Sequence, residues 1–291
     1  MDKIKLSASM LIFGTIGLFV KYIPLSSGII AMTRGYSGAL FLLLIMLISR
    51  KKLDFTAIKK NLIPLLISGT AIGINWILLF ESFNYTSVAI ATLCYYMQPV
   101  LLVLLTPIVL KTKPSRKKIL CIFPALIGMV LISGVFSSDT YANPVGIILG
   151  LSAALFYTTV ILTNKFLKNI SSFESTILQL LIAAFIITPY NLIQGFGDFL
   201  QIESTALLLL AIVGFLHTGF TYFLYFASIK TLPSETVAIY SYIDPAFAII
   251  LSVFVLKEPL SISGIIGAIL ILGACILSET NKQKLTFKRH P

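Results

Sequence analysis

Ten apolar runs, each close to twenty residues long, follow one another along this chain with only short polar connectors between them. They cover residues 6–23, 28–48, 62–83, 87–110, 119–136, 144–164, 174–193, 205–227, 234–256 and 261–280. About 20 such residues in an α-helix cross roughly 30 Å of hydrocarbon, and a lipid-facing span must close its own backbone hydrogen bonds. Of the 291 residues, 57% are hydrophobic and 11% charged, whereas an ordinary soluble domain carries about 25% charged residues. The expected fold class is an all-α integral membrane protein of ten transmembrane helices, with no soluble domain. The first run carries Lys21, exceeds signal-peptide length and lacks a small-residue cleavage site, so it is read as a span.

The basic residues orient the helices. All of the 22 Lys and Arg residues except Lys21, Arg34 and Lys257 fall on alternate connectors or the two ends of the chain. Basic residues in short connectors stay cytoplasmic, so both termini are expected in the cytoplasm and the protein in the cell membrane. The net charge of +11 then reflects an anionic inner leaflet as neighbour, and no nucleic-acid partner is implied. Cys94, Cys121 and Cys275 show no C-x-x-C spacing, so no disulfide framework or metal site is expected. No cofactor is indicated either.

An internal repeat appears when residues 78–111 are laid over 224–257. Ser82 falls on Ser228, Tyr96 on Tyr242, Pro99 on Pro245 and Lys111 on Lys257. The expected halves are 1–137, with helices 1–5, and 138–291, with helices 6–10 and a short basic tail. Each holds an odd number of spans, so the second half enters the membrane from the opposite side. Inverted repeats of this kind place a substrate site near the bilayer midplane, where the halves rock to expose it alternately.

Along essentially its whole length the chain resembles the EamA-type members of the drug/metabolite transporter superfamily. The likeness is carried by "FGTIGLFVK" (13–21), by Arg34, by "FESFNYTSVAIATLCYYMQPVLLVLL" (80–105) and by "YFASIKTLPSETVAIYSYIDPAFAIILSVFVLKEPLSISG" (225–264). Phe13-Gly14 stands where the family usually has Trp-Gly, and "LKTKPSR" (110–116) stands in place of a Gly-Glu pair. The resemblance implies a metabolite carrier, often an exporter, of amino acids or other small polar solutes.

Apart from Glu174, Glu235 and Glu279 at the first or last two positions of their spans, five charged or histidine residues lie within the spans: Lys21, Arg34, Glu81, His217 and Asp244. A charge at mid-bilayer costs ~2.5–3.5 kcal/mol on the insertion scale, so such groups face a cavity or a partner. Asp244 and His217 sit near the midplane. Asp244 is expected to be the substrate-ammonium or proton site, with His217 as its partner and H+ as the candidate coupling ion, the alternative being a protonated carboxyl bonded to a neighbouring helix. Pro99 and Pro245 should kink helices 4 and 9, since proline withholds an N–H and clashes with the carbonyl four residues back.

On a continuous helical wheel Tyr240, Ser241, Asp244 and Phe247 share a face of helix 9, and Tyr95 and Gln98 share one of helix 4. With Trp76, Tyr222 and Tyr157 these form a candidate aromatic ring for an ammonium group. Each aromatic could equally serve only packing or the interfacial belts. Lys21, Arg34 and Glu81 lie at a similar outer depth and are candidates for an external gate, the alternative being a structural salt bridge with Lys21 snorkelling.

Asn143-Pro144, Pro114-Ser115 and Pro259 read as helix starts, with Glu258 suited to the start of helix 10. Gly14, Gly17, Gly264, Gly267 and Gly273 read as close-packing positions.

Two other functions compete. A passive channel or facilitator would need a continuous polar path, often shared between subunits. A membrane-embedded enzyme is disfavoured because the chain has just His217 and His290, no H-E-x-x-H and no nucleophile beside a base.

Overall fold

The computed structural model describes residues 2–50, 53–111, 116–132, 143–195, 202–229 and 240–279. Among these, every regular element is a helix: α1 (Asp2–Gly14), α2 (Ile16–Lys21), α3 (Ser27–Ile48), α4 (Phe55–Lys60), α5 (Leu62–Tyr85), α6 (Val88–Tyr95), α7 (Gln98–Leu110), α8 (Arg116–Ile132), α9 (Pro144–Asn164), α10 (Ser172–Gln194), α11 (Ser204–Ala211), a π-helical segment (Ile212–Phe220), α12 (Thr221–Ile229), α13 (Ile243–Phe254) and α14 (Ile262–Glu279).

Seven continuous helical stretches are long and apolar enough to cross a membrane: Asp2–Lys21, Ser27–Ile48, Leu62–Tyr85, Val88–Leu110, Pro144–Asn164, Ser172–Gln194 and Ser204–Tyr225. Shorter apolar helices occupy Ile119–Leu131, Ile243–Phe254 and Ile262–Leu277. The expected spans 119–136, 234–256 and 261–280 run partly outside the described residues, as does the helix start at Pro114-Ser115.

Side-chain caps set several boundaries. Ser26 Oγ accepts from Ile29 N, Ser87 Oγ from Ile90 N, and Asn143 Oδ1 from Val145 N, with Pro144 in the first turn. At α10, Ser171 and Glu174 form a reciprocal capping box, satisfying two groups that a helix start leaves unpaired. Pro259 does not open α14; Ser261 caps it by accepting from Gly264 N at 3.1 Å.

The helices pack in a definite order. α5 lies along α9, and α1 along α12 and α13. α3 packs on α10 and the π segment, α10 also on α5, and α9 on α6 and α7. α6 meets α13, and α8 meets α14.

Glycines permit the tightest approaches. A Cβ on Gly14 would stand 2.7 Å from the Asp244 carbonyl oxygen, and one on Gly17 would meet Val88 Cγ1 at 2.5 Å. Gly273 differs from the expectation, for nothing among the described residues lies within 4 Å of a Cβ placed there. Lys111 (φ 53°) and Lys257 (φ 57°), paired in the repeat alignment, both adopt the left-handed conformation.

Candidate functional site

Helices 4 and 9 are each broken at the same alignment position. α6 ends at Tyr95, a turn follows at Tyr96 and Met97, and α7 starts at Gln98 with Pro99 in its first turn. In the second half the turn is at Tyr242, and α13 starts at Ile243 with Asp244 and Pro245 in its first turn. The expected kinks are thus interruptions of one or two turn residues that keep near-helical backbone angles. Proline is tolerated in a first turn, where its missing N–H costs nothing, and an acidic side chain there is favoured by the aligned N–H groups.

Both breaks line one cavity of about 540 Å³, within the size range of small-molecule sites. Its wall includes Asp244, Gln98, Tyr95, Trp76, Tyr222 and Tyr157, together with Arg34. Asp244 Oδ2 accepts a 2.8 Å hydrogen bond from the Tyr96 hydroxyl. Tyr95 stacks on Tyr157 at 5.4 Å and meets Tyr96 edge-on at 5.9 Å. Tyr222 meets Phe13 edge-on at 5.4 Å.

Arg34 belongs to this cavity. Its Nε donates to Thr218 Oγ1 at 2.7 Å, and its guanidinium lies 4.2 Å from the centre of the Trp76 ring and 5.6 Å from that of Phe80. The Trp76 face is therefore already covered by a cation from the protein. Among the described residues no carboxylate lies within salt-bridge distance of Arg34 or pairs with it, so Arg34 and Asp244 line one chamber as separate opposite charges.

The model of the EamA-like transporter family matches this chain twice, over residues 4–134 and 144–280. The chain belongs to the EamA-like transporter family. The relatives of this EamA-like transporter include a Bacillus subtilis protein named uncharacterized transporter YxxF, 31% identical over 283 residues, covering 96% of this chain and 90% of that one. A second Bacillus subtilis protein, uncharacterized transporter YojE, is 28% identical over 216 residues, covering 72% and 68%. An uncharacterized transporter of Archaeoglobus fulgidus is 25% identical over 194 residues, covering 66% and 67%. A solved crystal structure shares the fold with a TM-score of 0.64 at 15% identity, covering 95% of this chain and 96% of that one. The chain is thus a multi-pass membrane protein of a transporter family.

The transporter's remaining intramembrane polar residues fall elsewhere than their depth suggested. His217 is fully buried outside the cavity wall, with Nε2 2.7 Å from Thr15 Oγ1, Nδ1 3.3 Å from the Ile212 carbonyl oxygen and Phe19 edge-on at 4.9 Å. Tyr96, and not His217, is the hydrogen-bonding partner of Asp244. The π segment explains this placement. Its widened turns leave carbonyls that Thr218 and Thr221 hydroxyls satisfy from five residues on, at Val213 and Leu216, and the changed pitch turns His217 toward helix 1. Tyr240 does not line the cavity; Ser241 and Tyr242 do.

Lys21, Arg34 and Glu81 do not pair with one another. Glu81 accepts from Ser27 Oγ at 2.7 Å. Lys21 pairs with Glu258 at 3.3 Å and donates to the Phe83 carbonyl. Glu258 in turn accepts from Val88 N at 2.9 Å and Ser252 Oγ at 2.6 Å, while Ser252 Oγ accepts from Ala89 N at 3.1 Å. The helix start that Glu258 serves is therefore α6, not α14. This network ties α2, α6 and the end of α13 together at the Gly17 and Phe83 end of the cavity.

Sequence reasoning overlooked the direct role of Tyr96 as well as Gln179 and Asn164, which also line the cavity. Tyr96 carried a signal, its identity with Tyr242 three residues before the paired prolines. Gln179 carried another, an amide in the middle of an apolar span.

Proposed function

We propose that this EamA-like transporter is a secondary-active carrier of small polar metabolites, amino acids or amines, that works by alternating access around the Asp244 cavity. Its ten helices form two inverted five-helix repeats, with both termini cytoplasmic in the cell membrane. Export is the direction the family resemblance implies, with H+ as the coupling ion.

The observation that carries the reading is that Asp244 and Arg34 face one aromatic-walled chamber without pairing. Two buried opposite charges left apart in a low-dielectric space are most stable when a ligand bridges them. A zwitterion does so with its ammonium at Asp244, amid tyrosine rings, and its carboxylate at Arg34, whose planar fork matches that group. Ionisable groups inside a membrane commonly mark substrate and proton routes, and Asp244 serves either use.

The repeat reading is supported by the packing. Exchanging helices 1–5 for 6–10 carries two of the main pairings over: helix 6 on 3 and 4 becomes helix 1 on 8 and 9, and helix 7 on 3 becomes helix 2 on 8. The left-handed Lys111 and Lys257 follow the same exchange.

The test is counterflow into proteoliposomes holding the purified protein, with a labelled amino-acid and amine panel. Saturable exchange that falls at least tenfold in Asp244→Asn supports the carrier. Unsaturable flux without counterflow would support a channel, and wild-type exchange in Asp244→Asn would remove Asp244 from the mechanism.

A further inference from the structure

We propose that the cavity holds a second, uncharged subsite, built by Gln179 and Asn164, that binds a neutral amide-like group of the transported solute. The inference rests on the charged-site reading above and extends it to the far end of the same chamber.

The wall of the cavity reaches from Gly17 and Phe83 at one end to Asn164, Thr176 and Gln179 at the other. These are opposite ends of α5, because Phe83 is near its last residue while Gln179 bonds Ser68, two turns from its first. A cavity of about 540 Å³ can hold more than the ammonium and carboxylate of one small head group.

Hydrogen bonding fixes how the two amides point. Ser68 Oγ gives its hydrogen to the Pro64 carbonyl oxygen at 2.7 Å, so toward Gln179 it can only accept. Gln179 must present its Nε2 to Ser68, at 2.7 Å, and the same nitrogen reaches Asn164 Oδ1 at 2.5 Å. The orientation of each amide follows from that chain of donors and acceptors. What remains is Gln179 Oε1, an acceptor, and Asn164 Nδ2, a donor.

Neither atom has a hydrogen-bond partner among the described residues, and neither is sealed from the cavity, although the Gln179 side chain is only 4% exposed. A buried polar atom without a partner is costly, so it favours a ligand that supplies one. One acceptor beside one donor is the complement of a carboxamide or peptide group. Arg34 and Asp244 are the charged residues in the described wall, and neither belongs to this end. The preferred solute therefore carries its charged head near Asp244 and Arg34 and a neutral hydrogen-bonding group further along.

The experiment measures thermal stabilisation of the full-length purified protein by L-glutamine, alanyl-glutamine and L-methionine, in wild type, Gln179→Leu and Asn164→Asp. Asn164→Asp keeps the acceptor that Gln179 needs while removing the free donor, so it tests the subsite even if Gln179→Leu fails to fold. The expected result is a preference of roughly tenfold in apparent affinity for an amide-bearing ligand over methionine, two hydrogen bonds' worth, lost in Asn164→Asp with methionine binding retained. Equal stabilisation by amide and methionine ligands in the wild type would overturn the subsite and leave the charged site standing. No stabilisation by any of the zwitterions would overturn both.

Discussion

Tyr96 donates its hydroxyl hydrogen to Asp244 in the cavity wall at 2.8 Å, joining the break in helix 4 to the break in helix 9. The two residues come from opposite halves of the chain, so a rearrangement of the halves must break, keep or exchange this bond. Tyr96→Phe removes it without altering ring packing. Hydrogen bonds to charged groups contribute about 1.5–3 kcal/mol, so substrate affinity should change by roughly ten- to a hundredfold while the purified protein stays folded. A binding titration checks this, and unchanged affinity would mean that the bond does not act on the substrate.

The breaks were legible and the faces were not. Pro99 and Pro245 announce a disturbance, because proline withholds an N–H and clashes with the carbonyl four residues back, although Pro107, Pro124 and Pro189 sit inside unbroken helices. The depths of Asp244, Gln98, Tyr95, Trp76, Tyr222 and Tyr157 follow from counting residues at 1.5 Å each along a span. Direction around the axis requires an unbroken helix and a polar side, and these spans are apolar all round. Tyr240 precedes the break at Tyr242, so its wheel is not that of Asp244. Arg34 lies about two turns further along its helix than Ser27, the partner of Glu81, and faces Trp76 and Thr218, and the π segment turned His217 to Thr15.

Glu258 and Lys21 should contribute unequally. Glu258 is 8% exposed and accepts from a backbone N–H and a serine, so Glu258→Ala leaves buried donors unpaired at a cost of about 1–3 kcal/mol. The Lys21 side chain is 33% exposed, and ion pairs open to solvent contribute roughly 0–1 kcal/mol. Unfolding temperatures in detergent should therefore fall clearly for Glu258→Ala and little for Lys21→Met. Equal losses would indicate that the ion pair dominates the network.

Close packing of α3 on the π segment depends on small residues. A Cβ on Gly38 or Gly214 would collide with Thr218 or Ser37, respectively, whereas Gly273 has open space among the described residues. Gly38→Val should destabilise by about 1–3 kcal/mol through overpacking. Gly273→Ala should be neutral or stabilise by up to about 1 kcal/mol, since alanine favours a helix. Thermal unfolding of the two variants separates these outcomes.

The proposed orientation can be read by labelling single cysteines on intact cells, in a background where Cys94, Cys121 and Cys275 are serine. Lys59→Cys and Lys165→Cys should resist a membrane-impermeant thiol reagent until the cells are opened. Glu203→Cys should react at once. The reverse pattern would invert the topology.

The most direct test of the central claim is thermal stabilisation of wild type, Asp244→Asn and Arg34→Gln by amino acids, each with its matched amine and carboxylic acid. A ligand that binds only the folded protein stabilises it by about 2.7 kcal/mol at a hundredfold excess over Kd. Amino acids should stabilise the wild type most, with the ammonium contribution lost in Asp244→Asn and the carboxylate contribution lost in Arg34→Gln. Equal stabilisation by amine and amino acid, unchanged in Arg34→Gln, would contradict a zwitterion held between the two charges.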